Sequence, residues 1–174
     1  RLEGPNKLYR NLGGMEFADI TAEANLAHAG YNSTGVVLAD INGDTYPDLL
    51  VTSLSQKNEL YINDGKGHFT LKEDSGLGNS MGSNTMALAD IDNDGDLDLY
   101  VTNYKLKTAR DMYSSEELST ENTVRQQGDT LVVIPSFNEQ YGIIERDGQS
   151  YRKEYGAKDE LYINRGEGVF QKIT

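Results

Sequence analysis

Asp90, Asp92, Asp94, Asp96 and Asp98 occupy every second position within LADIDNDGDLDLYVTN (88–103), between apolar residues that otherwise read as a strand. On a regular strand all five carboxylates would project from one side, about 7 Å from one another, with nothing nearby to neutralise them. Asn93 and Gly95 favour turns instead. A loop that curls back on itself points alternate carboxylates at a common centre, and such a centre suits a hard cation. Calcium takes roughly six to eight oxygens from carboxylates, amides and backbone carbonyls. In this reading Asp90, Asp92, Asp94 and Asp98 offer side-chain oxygens, Asp96 offers its carbonyl, and Gly95 permits the sharp turn.

The same pattern recurs fifty residues earlier in VVLADINGDTYPDLLVTS (36–53). There Asp40, Asn42, Asp44 and Asp48 take the side-chain roles and Tyr46 the carbonyl. Asn42 keeps an oxygen but drops a charge, so this first loop is expected to hold a cation more weakly. Both loops open like an EF-hand, but the position where an EF-hand carries its bidentate glutamate is Val51 or Val101, and the flanks are strand-like. An EF-hand is excluded. Magnesium, which keeps waters and takes few protein ligands, fits less well than calcium. The alternative is a pair of solvated acidic turns, and two copies with one spacing favour two calcium sites.

The elements that must hold these loops are also repeated. LYRNLGGMEFADIT (8–21), LYINDGKGHFTLKE (60–73) and LYINRGEGVFQKIT (161–174) share Leu-Tyr, any residue, Asn, a glycine-bearing turn and a Phe that opens a second strand. Each reads as a β-hairpin. The full repeat is strand, acidic loop, strand, connection, strand, glycine turn, strand, over about fifty residues, which is the size of a four-stranded β-propeller blade. The predicted fold is therefore all-β, with about two and a half antiparallel blades. Residues 1–21 are the end of one blade, 35–73 a full blade, and 84–174 a blade enlarged by a mixed insertion at 105–158. A β-sandwich with similar hairpins is the alternative, but sandwiches seldom repeat one loop at a fixed period.

Whole-chain numbers narrow the function. Twenty-eight acidic against sixteen basic residues leave a formal charge of −12 over 174 residues. That disfavours a nucleic-acid partner, which needs a basic face, and permits a cation. The absence of cysteine excludes disulfides and thiolate zinc sites. No apolar run approaches the roughly 20 residues of a membrane helix. The chain opens on Arg1 without a signal-peptide pattern, which reads as a processed product or a fragment.

DINGDTYPD and DIDNDGDLD, each followed by Leu-Leu-Val or Leu-Tyr-Val and then by an LYIN hairpin, resemble FG-GAP/VCBS repeats, with the nearest likeness to the bacterial cartilage acidic protein-like family. The resemblance covers nearly the whole chain outside 105–158. It implies the propeller of integrin α subunits and many secreted proteins, with calcium in the loop between first and second strands. It also implies an extracellular, secreted, cell-surface or periplasmic setting and roles in adhesion or ligand binding. A closed propeller needs at least four blades, so the chain is expected to be a segment of a longer protein or to associate with further copies of itself.

The insertion carries its own signals. Ser114 and Glu117 fit a capping box and Gly128 a stop, which predicts a helix near 115–127. GDTLVVIPS reads as a strand, and YGIIERDGQSYRKEY as a hairpin turning at Asp147-Gly148. Up-and-down strand order places the insertion on the face opposite the acidic loops. Tyr141, Tyr151 and Tyr155, with Arg146 and Arg152, suit a protein or glycan contact, or else pack the hairpin on its own blade. His28 and His68 belong to no catalytic pattern and read as surface residues, Glu116, Glu117 and Glu121 as a solvated face, and Tyr9, Tyr61 and Tyr162 as blade packing. Asn32-Ser33-Thr34 matches a glycosylation acceptor. The functional reading is a non-catalytic, calcium-binding repeat segment that engages a protein or glycan. The alternatives are a filament subunit and the propeller part of a larger secreted enzyme.

Overall fold

The computed structural model describes residues 6–27, 32–54, 56–78 and 82–173, and His28 falls outside them. In chain order the strands are β1 (Tyr9–Gly13), β2 (Glu16–Asp19), β3 (Ser33–Ala39), β4 (Asp48–Ser53), β5 (Glu59–Asn63), β6 (Phe69–Leu71), β7 (Ser83–Ala89) and β8 (Asp98–Asn103). There follow the short helices α1 (Ala109–Met112) and α2 (Thr120–Thr123), then β9 (Val124–Gln127), β10 (Thr130–Val133), β11 (Tyr141–Arg146) and β12 (Gln149–Glu154). The chain ends with β13 (Glu160–Asn164) and β14 (Phe170–Lys172). The fold is all-β.

Two four-stranded antiparallel sheets, β3-β4-β5-β6 and β7-β8-β13-β14, are the two full repeats, and β1-β2 is a separate hairpin. Equivalent residues hold equivalent registers: Ala39 faces Asp48 as Ala89 faces Asp98, and Asn63 faces Phe69 as Asn164 faces Phe170. Each acidic loop thus spans the first and second strands of its sheet. The chain divides into two compact units, 1–104 with 158–174 and 105–157.

Packing in the first unit follows from strand alternation. Leu49 and Val51 on β4 pack with Tyr61, Phe69, Ala24 and Leu26, while Leu50 turns the other way to join Ile41, Leu60, Leu99, Val101, Tyr162 and Phe170. Both faces of β4 are covered, which is why Leu49-Leu50-Val51 runs apolar without alternation and the strand is buried throughout. In β8, Leu99 and Val101 face the inter-sheet core, but Tyr100, the counterpart of Leu50, is 41% exposed. Ile41 and Ile91 show the same contrast at one position of the repeat, at 1% and 49% exposed.

The second unit corrects one expectation. The Ser114–Glu117 box forms, with Ser114 N–H donating to Glu117 Oε2 (2.8 Å) and Glu117 N–H to Ser114 Oγ (3.3 Å). The helix predicted over 115–127 does not follow it. Residues 115–118 make a single turn, α2 spans four residues, and 124–127 form β9, paired with β10. Val124 is β-branched and favours extended backbone, and Val124–Gln127 finds a partner strand in Thr130–Val133. Gly128, at φ +62°, turns a hairpin rather than ending a helix. The strand within GDTLVVIPS and the Asp147-Gly148 hairpin are as expected. Ala109, Phe137 and Tyr141 form this unit's own core.

Truncating equivalent residues tests the packing. Ile41→Ala is expected to cost about 2–4 kcal/mol in urea unfolding, and Ile91→Ala less than about 1 kcal/mol. Equal losses would contradict burial between the sheets.

Candidate metal centre

Each acidic loop is shaped by its own carboxylates. In the first, Asp40 Oδ1 accepts from the N–H groups of Gly43 (2.9 Å) and Asp44 (3.0 Å), and Oδ2 from Thr45 (2.9 Å). In the second, Asp90 accepts from Asp94 N–H (3.1 Å) and Gly95 N–H (3.2 Å). Asp44 Oδ1 accepts from Tyr46 N–H as Asp94 Oδ1 does from Asp96 N–H. The first acid of each loop thus gathers the backbone, and the third holds the exit.

The turn needs left-handed backbone twice per loop: at Gly43 (φ +79°) and Thr45 (φ +76°), and at Asn93 (φ +61°) and Gly95 (φ +99°). Gly95 meets this demand without a Cβ. Thr45, β-branched, meets it at a strain of about 1–2 kcal/mol.

Asp48 and Asp98 differ from the other acids. Both are fully buried, at 0% exposed, as the first residues of β4 and β8. Asp48 Oδ2 accepts from Ile41 N–H (3.1 Å) and Oδ1 from Asn63 N–H (2.9 Å). Asp98 Oδ2 accepts from Ile91 N–H (2.8 Å) and Oδ1 from Asn164 N–H (2.9 Å). One carboxylate therefore ties the start of its loop to the third strand of its sheet. Sequence reasoning gave these residues a ligand role and missed this anchoring, because the Asn partner lies outside the loop.

The second loop brings Asp90, Asp92 and Asp98 together, with one oxygen from each within 4.8 Å of the others. Oxygens bound to one calcium lie about 2.3–2.6 Å from it, so two of them are separated by at most about 5 Å. The triad fits one coordination sphere. Asp94 and Asp96 lie on the same loop outside that triad, with Asp94 Oδ1 used on Asp96 N–H. Among the described residues the first loop forms no acidic triad. Asn42 stands where Asp92 stands, and its Nδ2 donates to Asp44 Oδ2 (2.8 Å). The Tyr46 ring reaches the Gly65 turn.

Charge crowding shows in the carboxyl groups. Asp92 is held above the ordinary carboxylate value by desolvation first, then by the charges of Asp94, Asp98 and Asp90. Arg165 Nη1, 3.9 Å from Asp92 Oδ2, is a partial counter-charge. Burial raises Asp48 likewise, opposed by its two N–H donors. His68 is not part of these loops; its Nδ1 pairs with Asp64 Oδ2 at 2.9 Å, and Asp64 is held down to about 2 mainly by that bond.

The FG-GAP-like repeat model matches residues 1–51 and 40–101, more than half of the chain and both acidic loops. The chain belongs to the FG-GAP-like repeat family. This FG-GAP-like chain is also 28% identical over 134 residues to cartilage acidic protein 1 of Mus musculus, a match covering 74% of the chain and 20% of that protein. For cartilage acidic protein 1 of Homo sapiens the identity is again 28% over 134 residues, with 19% of that protein covered. For that of Xenopus tropicalis it is 29% over 115 residues, covering 63% of the chain and 18% of the relative. The FG-GAP-like chain spans about a fifth of the length of these relatives.

The other sequence candidates divide. Tyr61 and Tyr162 are buried and donate to Glu59 and Glu160, whereas Tyr9 is exposed. Within the insertion, Arg152 stacks on the buried Tyr141 ring (4.4 Å) and donates to Leu118 O and Thr123 Oγ1. Arg146, Tyr151 and Tyr155 are exposed. Asn32 is half-buried just ahead of β3, and Thr34 Oγ1 donates to Ser83 O.

Two outcomes check this geometry. Thr45→Gly relieves the left-handed strain and is expected to stabilise by about 0.5–1 kcal/mol, while Gly95→Thr destabilises by about 1–2 kcal/mol; thermal unfolding reads both. The pH test follows from the raised carboxyls. Asp48 and Asp92 contribute stability to the metal-free form when protonated, and lose it as pH rises through their raised folded values. A cation needs the same oxygens deprotonated. If the loops bind calcium, the gap in melting temperature between calcium-loaded and chelated protein is therefore expected to narrow as pH falls toward the raised carboxyl values.

Proposed function

We propose that this FG-GAP-like segment is a calcium-stabilised, non-catalytic propeller module of an extracellular protein, and that it engages a protein or glycan partner. The observation that carries the reading is the convergence of Asp90, Asp92 and Asp98 oxygens within 4.8 Å on a loop whose backbone is already organised by its own acids. Asp90, Asp92 and Asp98 would hold the ion of the second site, with Asp94 and the Asp96 carbonyl on the same loop. Asp40, Asn42, Asp44, Asp48 and the Tyr46 carbonyl would hold that of the first. The ion supplies positive charge where the loop concentrates negative charge, which eases repulsion within a chain of net charge −12. Extracellular modules bind calcium at about 10⁻⁴–10⁻³ M, which suits the calcium level outside cells.

The partner reading rests on the exposed Arg146, Tyr151 and Tyr155 of the β11–β12 hairpin, amphipathic side chains of the kind enriched at contact surfaces. Among the described residues no helix is long and apolar enough to cross a membrane. A second reading, association between copies of the chain, is favoured by an apolar cleft of about 420 Å³ in the first unit, lined by Leu8, Leu26, Val36, Leu38, Leu49 and Val51. Val36 and Leu38 are both well exposed.

Calorimetric titration with calcium chloride is expected to show two binding events at about 10⁻⁴–10⁻³ M, and Asp92→Ala, which removes the ligand oxygen, to abolish the tighter one. A chelator is expected to lower the melting temperature. Heat of dilution alone, with an unchanged melt, would reject the module's calcium role.

A further inference from the structure

The Asn that closes each LYIN motif is used differently in the two sheets. Asn63 works within its own repeat: its N–H donates to Asp48 Oδ1, its Nδ2 to Pro47 O (3.0 Å), and its Oδ1 accepts from the N–H groups of Gly65 and Gly67. Asn164 repeats that pattern, donating from its N–H to Asp98 Oδ1 and from Nδ2 to Leu97 O (3.3 Å). Its Nδ2 also donates to Ile41 O, at 2.9 Å, in the first acidic loop of the neighbouring sheet. Asn164 is 0% exposed, so no water competes for these bonds.

Ile41 lies between Asp40 and Asn42, and its N–H donates to Asp48 Oδ2. A continuous buried path therefore runs from Asp98 through the Asn164 amide and the Ile41 peptide to Asp48, with Ile41 at 1% exposed and both acids at 0%. Asp98 belongs to the oxygen triad of the second loop, and Asp48 closes the first.

We propose that Asn164 is a positioning residue that couples the two loops, so that calcium binding in one raises the affinity of the other. This rests on the calcium reading of both loops. A cation drawn to Asp98 fixes the carboxylate that receives Asn164 N–H. With the Asn164 backbone so fixed, its side-chain Nδ2 holds the Ile41 carbonyl, and with it the backbone carrying Asp40 and Asn42 and the donor to Asp48. The first loop is then ordered before its own ion arrives, which lowers the ordering cost of binding there. Linkage makes the effect reciprocal. Asn63, whose side chain stays within its own repeat in the described structure, provides an internal control.

Calcium titrations followed by the backbone amide signals of Gly43 and Gly95 report the two loops separately. Asp92→Ala, which removes a ligand oxygen and disables the second loop, is expected to weaken calcium binding at the first by about five- to tenfold, and Asp44→Asn to weaken the second by the same factor. In an Asn164→Ser background both factors fall to near one, while the second loop of the Asp44→Asn, Asn164→Ser protein still binds. Asn63→Ser lowers stability without removing the reciprocal factor. Should Asn164→Ser fail to fold, the two single-loop variants still decide, because unchanged affinity at the surviving loop in both overturns the coupling. Calcium-insensitive signals in both loops of the unsubstituted chain would instead overturn the calcium reading itself.

Discussion

Mutual repulsion among carboxylates confined to two short loops is the constraint around which this molecule is organised. The chain answers it first with its own backbone. Asp40 and Asp90 collect loop N–H groups, and Asp48 and Asp98 accept one N–H from the loop and one from the third strand. A buried carboxylate with both oxygens occupied in this way is an anchor, and removing it would leave two buried donors without partners. Backbone donors do not cancel net charge, however. What remains in the second loop is a cluster of Asp90, Asp92 and Asp98 oxygens with the spacing a divalent cation uses.

Sheet packing and loop chemistry depend on each other. Successive strand residues point to opposite faces, so a repeat can pack a neighbour on each side while its strand ends carry polar loops. β4 shows the doubly covered case and β8 the singly covered one. The inter-sheet core and the acidic loops meet at Ile41, whose side chain joins that core while its peptide bonds to Asp48 and Asn164. A change in loop order is therefore felt where the sheets pack.

Much of this was legible in the sequence because the informative signals are local. The Asp-x-Asp spacing, the LYIN hairpins and the Asp147-Gly148 turn each act within a dozen residues, and their repetition at fifty residues identifies the four-stranded unit. Signals failed where distant packing decides. The Ser114–Glu117 box is present, yet pairing with β10 draws 124–127 into a strand. For Arg152 the sequence leaves a partner contact and hairpin packing both open, and only the stacking on Tyr141 decides between them. The bond from Asn164 to Ile41 joins residues 123 positions apart. Only the recurrence of Asn at one motif position hinted at its importance, and that hint did not name its partner.

Whether the acidic loops hold cations or stand as solvated turns is decided by a diffraction map from crystals grown with calcium. An ion in the second loop bound by Asp90, Asp92 and Asp98 oxygens at about 2.3–2.6 Å is expected. Water in that loop at saturating calcium, with the carboxylates turned apart, would rule the cation out.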